Sequence, residues 1–339
     1  MLRMKKACCL LTVLGLIFLT VLSCEKDEEV ESIPPRDRGE EALASTTEIE
    51  TFLSSHFYNY EEFNNPPADF NFRIKFDTIA GDNASKIPLM DQVTSKTVTD
   101  RVDETATYNF YYLTAIQGEG QSPNFPDVTT ITYEGTYLNN ENGFNNSSVF
   151  DSSVVPVRFD LTGVVPGLTD ALIEMKASTG YVSNLDGTVT FQNYGIGAVF
   201  IPSGLGYYMN PPPGIPVYSQ LIFSFQVYET ELGDQEVDTV PSIYEDLNND
   251  GNVFNDDTDL DGLPNYADKD DDGDGRLTKN EVEENIYTVN PGENDPVLAS
   301  NEVVRKRETD SVTLIKTITT ITFTDSDGNG TADYLDPEN

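Results

Sequence analysis

Acidic residues recur at fixed spacing toward the C-terminal end of the sequence, in four segments of twelve residues. Each segment places oxygen-bearing side chains at positions 1, 3, 5 and 12 and glycine at position 6. Ca²⁺ binds six to eight oxygen ligands, and the glycine permits the sharp turn that gathers them. The sequence therefore predicts structural Ca²⁺ held by Asp246, Asn248, Asp250, Asp257, Asp259, Asp261, Asp268, Asp270, Asp272, Asp274, Glu281, Asp325, Asp327, Asn329 and Asp336.

These loops differ in how closely they follow known calcium motifs. The third, Asp270 to Glu281, matches the EF-hand loop pattern, including glutamate at position 12. The first two share Asp257 and leave no room for flanking helices, which resembles thrombospondin type 3 repeats. The alternative is a solvated acidic tail, because dense carboxylates without ions repel one another.

A second group of motifs lies between Thr107 and Glu229, in a segment rich in Tyr and Phe that contains neither cysteine nor histidine. The motifs, in chain order, resemble the FK506-binding-protein (FKBP) family of peptidyl-prolyl isomerases. They are Tyr133-Glu134-Gly135-Thr136, Val149-Phe150-Asp151-Ser152-Ser153, Val164-Val165-Pro166-Gly167-Leu168 with Ala171-Leu172 and Met175-Lys176, Phe200 to Tyr207, and Ile215-Pro216 leading to Leu221-Ile222-Phe223.

The resemblance implies a site that rotates the X–Pro amide without a cofactor. The barrier to rotation is about 18–20 kcal/mol, and a dry aromatic cavity favours the less dipolar twisted amide. By resemblance, catalysis would involve Tyr133, Phe150, Asp151, Tyr207 and Phe223, with Asp151 as a buried orienting group and Tyr207 as a donor to a substrate carbonyl. The Val165 amide would bind the neighbouring carbonyl, and the remaining substrate-binding walls would be Val157, Val164, Leu168 and Ile215.

The sequence departs from the family at several positions. Leu168 stands where the family has a pocket-floor tryptophan, and the protein contains no tryptophan. Val157 replaces a common aromatic residue, residues 139–148 lengthen an early loop, and residues 177–195 are predicted to be an insertion. Tyr208-Met209-Asn210 and the prolines after it replace the usual glycine. These changes favour a weaker catalyst or a proline-peptide-binding module as the alternative function.

The elements that must position these residues indicate an α+β fold. The resemblance implies an FKBP-like antiparallel sheet wrapped on a short helix, predicted at residues 168–176. Apolar spacing predicts an amphipathic helix over 48–60, where His56, the only histidine, is expected to be structural. Alternation predicts a strand over 70–79, and another over 310–324 that forms a hairpin near the calcium loops or on the isomerase domain.

The first twenty-four residues carry an export signal. Three basic residues precede an uncharged apolar run, Ala7 to Leu22, that is short for a membrane span and typical of a signal peptide. Val21-Leu22-Ser23-Cys24 resembles the lipobox of bacterial lipoproteins, which implies lipidation at Cys24; an ordinary signal peptide is the alternative. The following Glu25-Lys26-Asp27-Glu28-Glu29 resembles the signal for the outer-membrane surface, although it also fits an acidic linker.

Together these motifs predict five regions. They are a signal peptide (1–23), a lipidated flexible linker (24–46), a helix and strand extension (47–106), an FKBP-type domain (107–230) and an acidic calcium-binding region (231–339). This lipidated layout is similar to that of FKBP-type lipoproteins of gliding bacteria, so a role in motility is an analogy only.

The composition limits the partners. The net charge of −38 excludes nucleic acid, and the expected partners are proline-containing polypeptides and the membrane that holds the lipid. Cys8 and Cys9 lie in the signal peptide, so no disulfide is expected. A calcium-dependent structural surface protein is the third possible function.

Overall fold

The structure is a computed structural model that describes residues 34–138, 147–310 and 312–339, and Asp37–Asn339 forms one compact unit. Cys24, the signal peptide and most of the loop expected over 139–148 lie outside the described residues. The helices are α1 (Arg38–Ser55), α2 (Tyr60–Asn64) and α3 (Pro166–Leu172). The strands are β1 (His56–Tyr58), β2 (Phe76–Thr78), β3 (Thr94–Thr99), β4 (Thr107–Ile116), β5 (Val128–Leu138), β6 (Ser147–Asp160), β7 (Gly180–Ser183), β8 (Val189–Gln192), β9 (Gly195–Ile201), β10 (Leu221–Glu231), β11 (Val282–Val289), β12 (Glu302–Thr309) and β13 (Lys316–Phe323).

A six-stranded antiparallel sheet in the order β3-β4-β9-β10-β5-β6 forms the centre of the unit. Side chains alternate between the two faces of a strand, so each strand can supply two cores. On β10, Phe223 and Phe225 belong to one apolar cluster, whereas Ile222, directly before Phe223, belongs to the other. The sheet is therefore covered on both faces, and α3 lies on the first of them.

Helix α3 packs against β9 through Gly167. A Cβ atom at this position would lie 2.5 Å from Cγ2 of Ile201, so only glycine allows this approach. Leu168, Ala171 and Leu172 are buried on the same side of the helix. The helix begins two residues before the predicted 168–176 range and ends four residues before its end, because Ile173 to Lys176 continue as turns.

Helix α1 covers the other face of the sheet. Ile49, Phe52 and Leu53 are buried there, and the Phe52 ring centroid lies 6.0 Å from that of Phe200 on β9. The predicted flexible linker over 24–46 was wrong at its C-terminal end, since the helix begins at Arg38. Asp37 caps it by accepting a hydrogen bond from the Glu40 amide at 2.9 Å.

The predicted helix over 48–60 ends early. The chain becomes extended at His56, where β1 pairs with β2, and α2 then forms separately. The strand predicted over 70–79 is reduced to Phe76–Thr78. His56 is buried and stacks on Phe52 with ring centroids 4.0 Å apart, which agrees with its expected structural role.

A buried charge pair joins α1 to the sheet. The Asp100 carboxylate accepts hydrogen bonds from Arg38 at 2.5 Å and from the Tyr108 hydroxyl at 2.6 Å, as well as from two backbone amides. Although burial opposes the charge, the hydrogen bond from Tyr108 and those from the amides keep the pKa of Asp100 below its usual value. This carboxylate is therefore charged and fully partnered at neutral pH.

Replacing Asp100 with asparagine is expected to lower the free energy of unfolding by about 2–3 kcal/mol, because the Arg38 charge loses its partner in a buried position. Urea denaturation at pH 7 measures this change. Asp186→Asn, which alters an exposed hairpin turn, is the matched control and should change stability little. Equal stability of the Asp100 variant and the wild type would show that the pair contributes nothing.

The acidic region does not form a separate tail. It holds a three-stranded sheet in the order β11-β13-β12, rather than the predicted hairpin, and β13 accounts for part of the predicted 310–324 strand. Phe254 packs on Phe125 with ring centroids 5.5 Å apart, which joins this region to the end of the central sheet. Among the described residues, no helix has the length and apolar character needed to cross a membrane.

Candidate functional site

Four aromatic side chains gather on the α3 side of the central sheet. The Phe150 ring lies 5.6 Å from Phe223 and 6.4 Å from Tyr207, both in edge-to-face geometry, and Tyr133 lies 6.2 Å from Phe223. Phe223 is buried, while the other three are half-buried and open toward solvent on one side. We call these four residues the aromatic ring cluster.

Two local features bring Phe150 to this position. Gly135 pairs with Asp151 while Thr136 pairs with Val149, so Phe150 is the extra residue of a β-bulge. Bulges redirect side chains and are common beside functional sites. Gly135 leaves room for the contact, because a Cβ atom there would lie 2.8 Å from both Phe150 and Phe223.

Leu168 belongs to the buried apolar core against which the aromatic ring cluster packs. It is buried in the same apolar cluster as Phe223 and Ile215, and Val164, Val165 and Tyr207 pack against that cluster. Val165 is the N-cap of α3, and its amide donates no hydrogen bond within the described part of the chain. The core beside the aromatic ring cluster is therefore aliphatic at Leu168, and the start of α3 offers one free backbone donor.

The polar group of the site differs from the prediction. Asp151 is exposed, so its expected burial was wrong; it lies on β6, an edge strand of the sheet. Its carboxylate accepts a hydrogen bond from the Tyr133 hydroxyl at 2.5 Å. Burial and then this carboxylate raise the pKa of Tyr133, and burial and the Asp151 charge also raise that of Tyr207. Both phenols consequently stay protonated at neutral pH.

The Tyr207 hydroxyl makes no hydrogen bond to another described residue, which leaves it able to donate to a ligand. Helix α1 contacts the turn that carries Tyr207. Ser45 and Ser203 lie 3.2 Å apart through their Oγ atoms, and the Arg38 guanidinium lies 4.2 Å from the Tyr208 ring centroid. The N-terminal extension therefore supports the site although it contributes no member of the cluster.

Two positions depart from the predicted set. Val157 pairs with Ile131 on β5 and is half-buried, but it is not part of the apolar cluster. Phe159, which was not predicted, lies beside the aromatic ring cluster instead, with its ring centroid 5.2 Å from that of Tyr133. The alternation of Val157 and Phe159 on one strand could have indicated it. Within the segment 177–195, which was predicted to be an insertion, β7 and β8 form an exposed hairpin.

A separate hollow lies on the opposite face of the sheet. It is lined by polar residues, including Arg73, Thr132 and Gln226, and by Ile74. The Gln226 amide already donates hydrogen bonds to the Asn71 and Phe72 carbonyls. Because this hollow shares only Tyr133 with the aromatic ring cluster, it is not an extension of that site.

All four acidic loops adopt one hydrogen-bond pattern. The carboxylate at position 1 accepts from the glycine amide at position 6, with distances of 2.8 to 3.1 Å. Side chains at positions 3 and 5 accept from the amides at positions 5 and 7 in every loop. The four glycines have φ between 81° and 97°, which disfavours other residues.

This pattern brings carboxylates together in the second and third loops. Asp257, Asp259 and Asp261 each offer an oxygen within 4.8 Å of the others, and so do Asp270, Asp272 and Asp274. Glu281 at position 12 is buried beside the third group, and burial followed by the charges of Asp272 and Asp274 raises its pKa to about 7. In the fourth loop, Asn329 donates to Asp336 at 2.6 Å.

Two residues that were predicted to be calcium ligands make other contacts in the structure. Asp257 faces the second loop, and it is Asp256 that accepts hydrogen bonds from the Asn248 backbone and side chain in the first loop. One Asp256 oxygen is buried without a partner in the described structure. Asp268 accepts from the Asp270 amide instead of joining the second group. The twelve-residue spacing alone could not distinguish Asp256 from its neighbour.

Comparisons with known proteins give the same assignment for part of the chain. The probable FKBP-type peptidyl-prolyl cis-trans isomerase FkpA of Neisseria meningitidis is 34% identical over 111 residues, which are 32% of each chain. FkpA of Escherichia coli is 26% identical over 157 residues, 46% of this chain and 50% of that protein. The chain thus spans about a third to a half of the length of these curated relatives.

Two further comparisons concern a solved structure and the acidic region. The crystal structure of E. coli FkpA has 25% identity and a TM-score of 0.29, over 40% of this chain and 51% of that one. Residues 235–293 match the family described as BamM C-terminal. The chain is therefore homologous to FKBP-type peptidyl-prolyl isomerases over part of its length, and its acidic region matches a different family.

Proposed function

We propose, from this homology, that the protein is a peptidyl-prolyl cis-trans isomerase acting on proline-containing polypeptides outside the cytoplasm. The observation that carries the proposal is the aromatic ring cluster, which packs against the same apolar core as Leu168. Its four members were expected at the site from the resemblance, and their proximity supports the proposal.

The reaction needs a site that prefers a twisted amide. The planar X–Pro amide is stabilised by resonance, and its isomers exchange over tens to hundreds of seconds. Rotation removes resonance and reduces the amide dipole. Apolar walls disfavour the planar form relative to water, and binding that is stronger in the transition state raises the rate. No cofactor enters this mechanism.

Each residue of the cluster has a distinct part in this proposal. Phe150, Phe223 and Leu168 would enclose the proline ring. The Tyr207 hydroxyl and the Val165 amide would donate hydrogen bonds to successive carbonyls of the substrate and hold the chain on either side of the rotating bond. Asp151 would keep the Tyr133 hydroxyl oriented at the rim, where both are accessible.

A protease-coupled assay on a short X–Pro peptide tests the activity. We expect the purified protein to accelerate isomerisation, and Tyr207→Phe to lower kcat/KM by about five- to tenfold, the loss of one hydrogen bond worth about 1 kcal/mol. Tyr218→Phe is the matched control because Tyr218 lies in the following loop, outside the aromatic ring cluster. If the wild-type protein does not accelerate isomerisation, the proposed enzymatic activity is refuted.

The second candidate is a proline-peptide-binding module without useful catalysis. Leu168 favours it, because leucine gives a smaller apolar floor than the family's tryptophan. Measured binding of a proline peptide together with no acceleration in the same assay would support this alternative. Loss of binding on Phe150→Ala would then place the peptide on the aromatic ring cluster.

Two finer parts of the proposal concern location. The signal peptide and the lipobox-like Cys24 support a lipoprotein of the outer membrane, exposed at the cell surface. Metabolic labelling with a fatty acid, compared between the wild type and Cys24→Ala, tests whether Cys24 is lipidated. Protease accessibility on intact cells tests the surface location.

The acidic loops are proposed to bind structural Ca²⁺. The support is the hydrogen-bond pattern shared by all four loops, together with the convergence of three carboxylates in the second loop and three in the third. Such oxygen-only ligand sets suit a hard cation. In this proposal the ions stabilise the region after Glu231, because without them its many carboxylates would repel one another.

A further inference from the structure

A second kind of acidic cluster lies beneath the loops, and the twelve-residue pattern does not include it. Asp238, Glu245 and Asp271 offer oxygens that all lie within 4.8 Å of one another. The exposed fractions of these residues are 1%, 0% and 2%. They come from three separate segments, so the fold, and not a local motif, assembles them. We call them the inner trio.

The oxygens of the inner trio have almost no partners. Both carboxylate oxygens of Glu245, both of Asp271 and Oδ2 of Asp238 are buried without a hydrogen bond. The remaining Asp238 oxygen accepts from the Val240 amide at 2.8 Å. Within the described ranges no lysine or arginine forms an ion pair with any of the three. Burying unpaired charged carboxylates is unfavourable, so either a bound cation compensates the charge or the carboxylates are protonated.

The residues around the inner trio add negative charge and do not neutralise it. Glu236 is also buried, and neither of its carboxylate oxygens has a partner. Arg305, whose charge acts on Asp238, is paired with Asp234 at 3.2 Å and with Glu284 at the same distance. Burial, followed by the charges of Glu236 and Asp238, raises the pKa of Glu245 to about 11.

The backbone turns these carboxylates inward. Asp271 occupies position 2 of the third loop, so it points away from the ligands at positions 1, 3 and 5. The backbone amide of Asp271 donates a hydrogen bond to Thr278 Oγ1 at 3.3 Å. Val237 and Thr239 have φ of 64° and 88°, uncommon for β-branched residues, and they flank Asp238.

We infer that the inner trio binds a Ca²⁺ ion, with Glu236 beside it, and that this ion joins the chain after β10 to the first and third loops. Carboxylates alone suit Ca²⁺, whose flexible coordination accepts ligands from separate segments. The site is distinct from the four loop sites because it shares none of their ligands. It also goes beyond the isomerase proposal and does not depend on it.

Glu245→Gln tests the site, because the change keeps the shape and removes one charge. In excess Ca²⁺, we expect native mass spectrometry to count one ion fewer per chain and the melting temperature to fall by about 3–6 °C. In EDTA the order should reverse, with the variant melting above the wild type, because the substitution relieves repulsion. Glu308→Gln, the same chemical change at an exposed position of β12 outside every proposed ligand set, is the matched control and should change neither the ion count nor the melting temperature.

The opposite result is equally clear. If Glu245→Gln keeps the wild-type ion count and melts higher than the wild type in both Ca²⁺ and EDTA, the inner trio is protonated and binds no metal. Asp271→Asn gives a second measurement should Glu245→Gln not fold. An unchanged ion count in Asp271→Asn would overturn the inference, and loss of one ion would support it.

Discussion

Replacing Phe150 with alanine is expected to lower kcat/KM for an X–Pro peptide by at least about tenfold, which corresponds to about 1.4 kcal/mol of transition-state stabilisation. Phe150 is the ring that contacts both Phe223 and Tyr207, so its removal exposes these two rings to water from the side of β6. Water would stabilise the planar amide and so reduce the preference for the twisted form. The protease-coupled assay measures this loss.

The control for Phe150→Ala must separate activity from stability. Tyr181→Ala removes an exposed ring on the β7–β8 hairpin, where it contacts Phe191 and lies outside the aromatic ring cluster. We expect this variant to retain wild-type kcat/KM. Circular dichroism should show both variants folded at the assay temperature. Unchanged activity of a folded Phe150→Ala protein would remove the cluster from the mechanism.

Chelation of Ca²⁺ is expected to release the acidic region while leaving the central sheet intact. In the four loops, carboxylates accept hydrogen bonds from the Gly251, Gly262, Gly275 and Gly330 amides. Without ions the carboxylates repel one another, so these amides should exchange with deuterium at least about tenfold faster in EDTA. Hydrogen exchange read by mass spectrometry measures this change segment by segment.

The central sheet provides the internal reference for that experiment. Amides of β9 and β10 are paired on both sides within the six-stranded sheet and should exchange at the same rate with and without Ca²⁺. Glu281→Gln narrows the test, because it should accelerate exchange in the third loop and leave the fourth unchanged. Identical exchange of the loops in Ca²⁺ and in EDTA would contradict calcium binding there.

The sequence predicted the aromatic members of the site better than its polar member. Tyr133, Phe150 and Phe223 lie on β5, β6 and β10, and Tyr207 lies in the turn after β9, yet all four rings meet on the α3 side of the sheet. Asp151 was expected to be buried, yet the bulge at Phe150 and the edge position of β6 leave it exposed. Exposure depends on what lies beside the strand in space, and a motif carries no information about that.

The limits of the N-terminal prediction have a similar physical cause. Apolar spacing indicated a helix only from residue 48, because the earlier buried residues Glu41 and Ser45 are polar. Ser45 is accommodated by Ser203, which lies more than 150 residues away in the chain. The end of α1 at Ser55 likewise depends on the pairing of His56 with Thr78, which no local pattern reveals.

In the acidic region, spacing predicted the loops but not their surroundings. The ligand positions and glycines were read directly from the sequence, and the loops adopt one geometry. Asp256 and the inner trio were missed because their roles depend on contacts between segments. The strands β11 and β12 were also missed, since their exposed faces give only weak alternation.

The early start of α1 has a practical consequence for dissecting the protein. A shortened protein beginning at residue 47, where the sequence pattern places the domain boundary, would lack Arg38 and Ser45. Asp100 would then be buried opposite an empty space, and Ser203, four residues before Tyr207, would lose its neighbour. Low activity of such a fragment would report a damaged scaffold, so truncations should retain every residue from Asp37 onward.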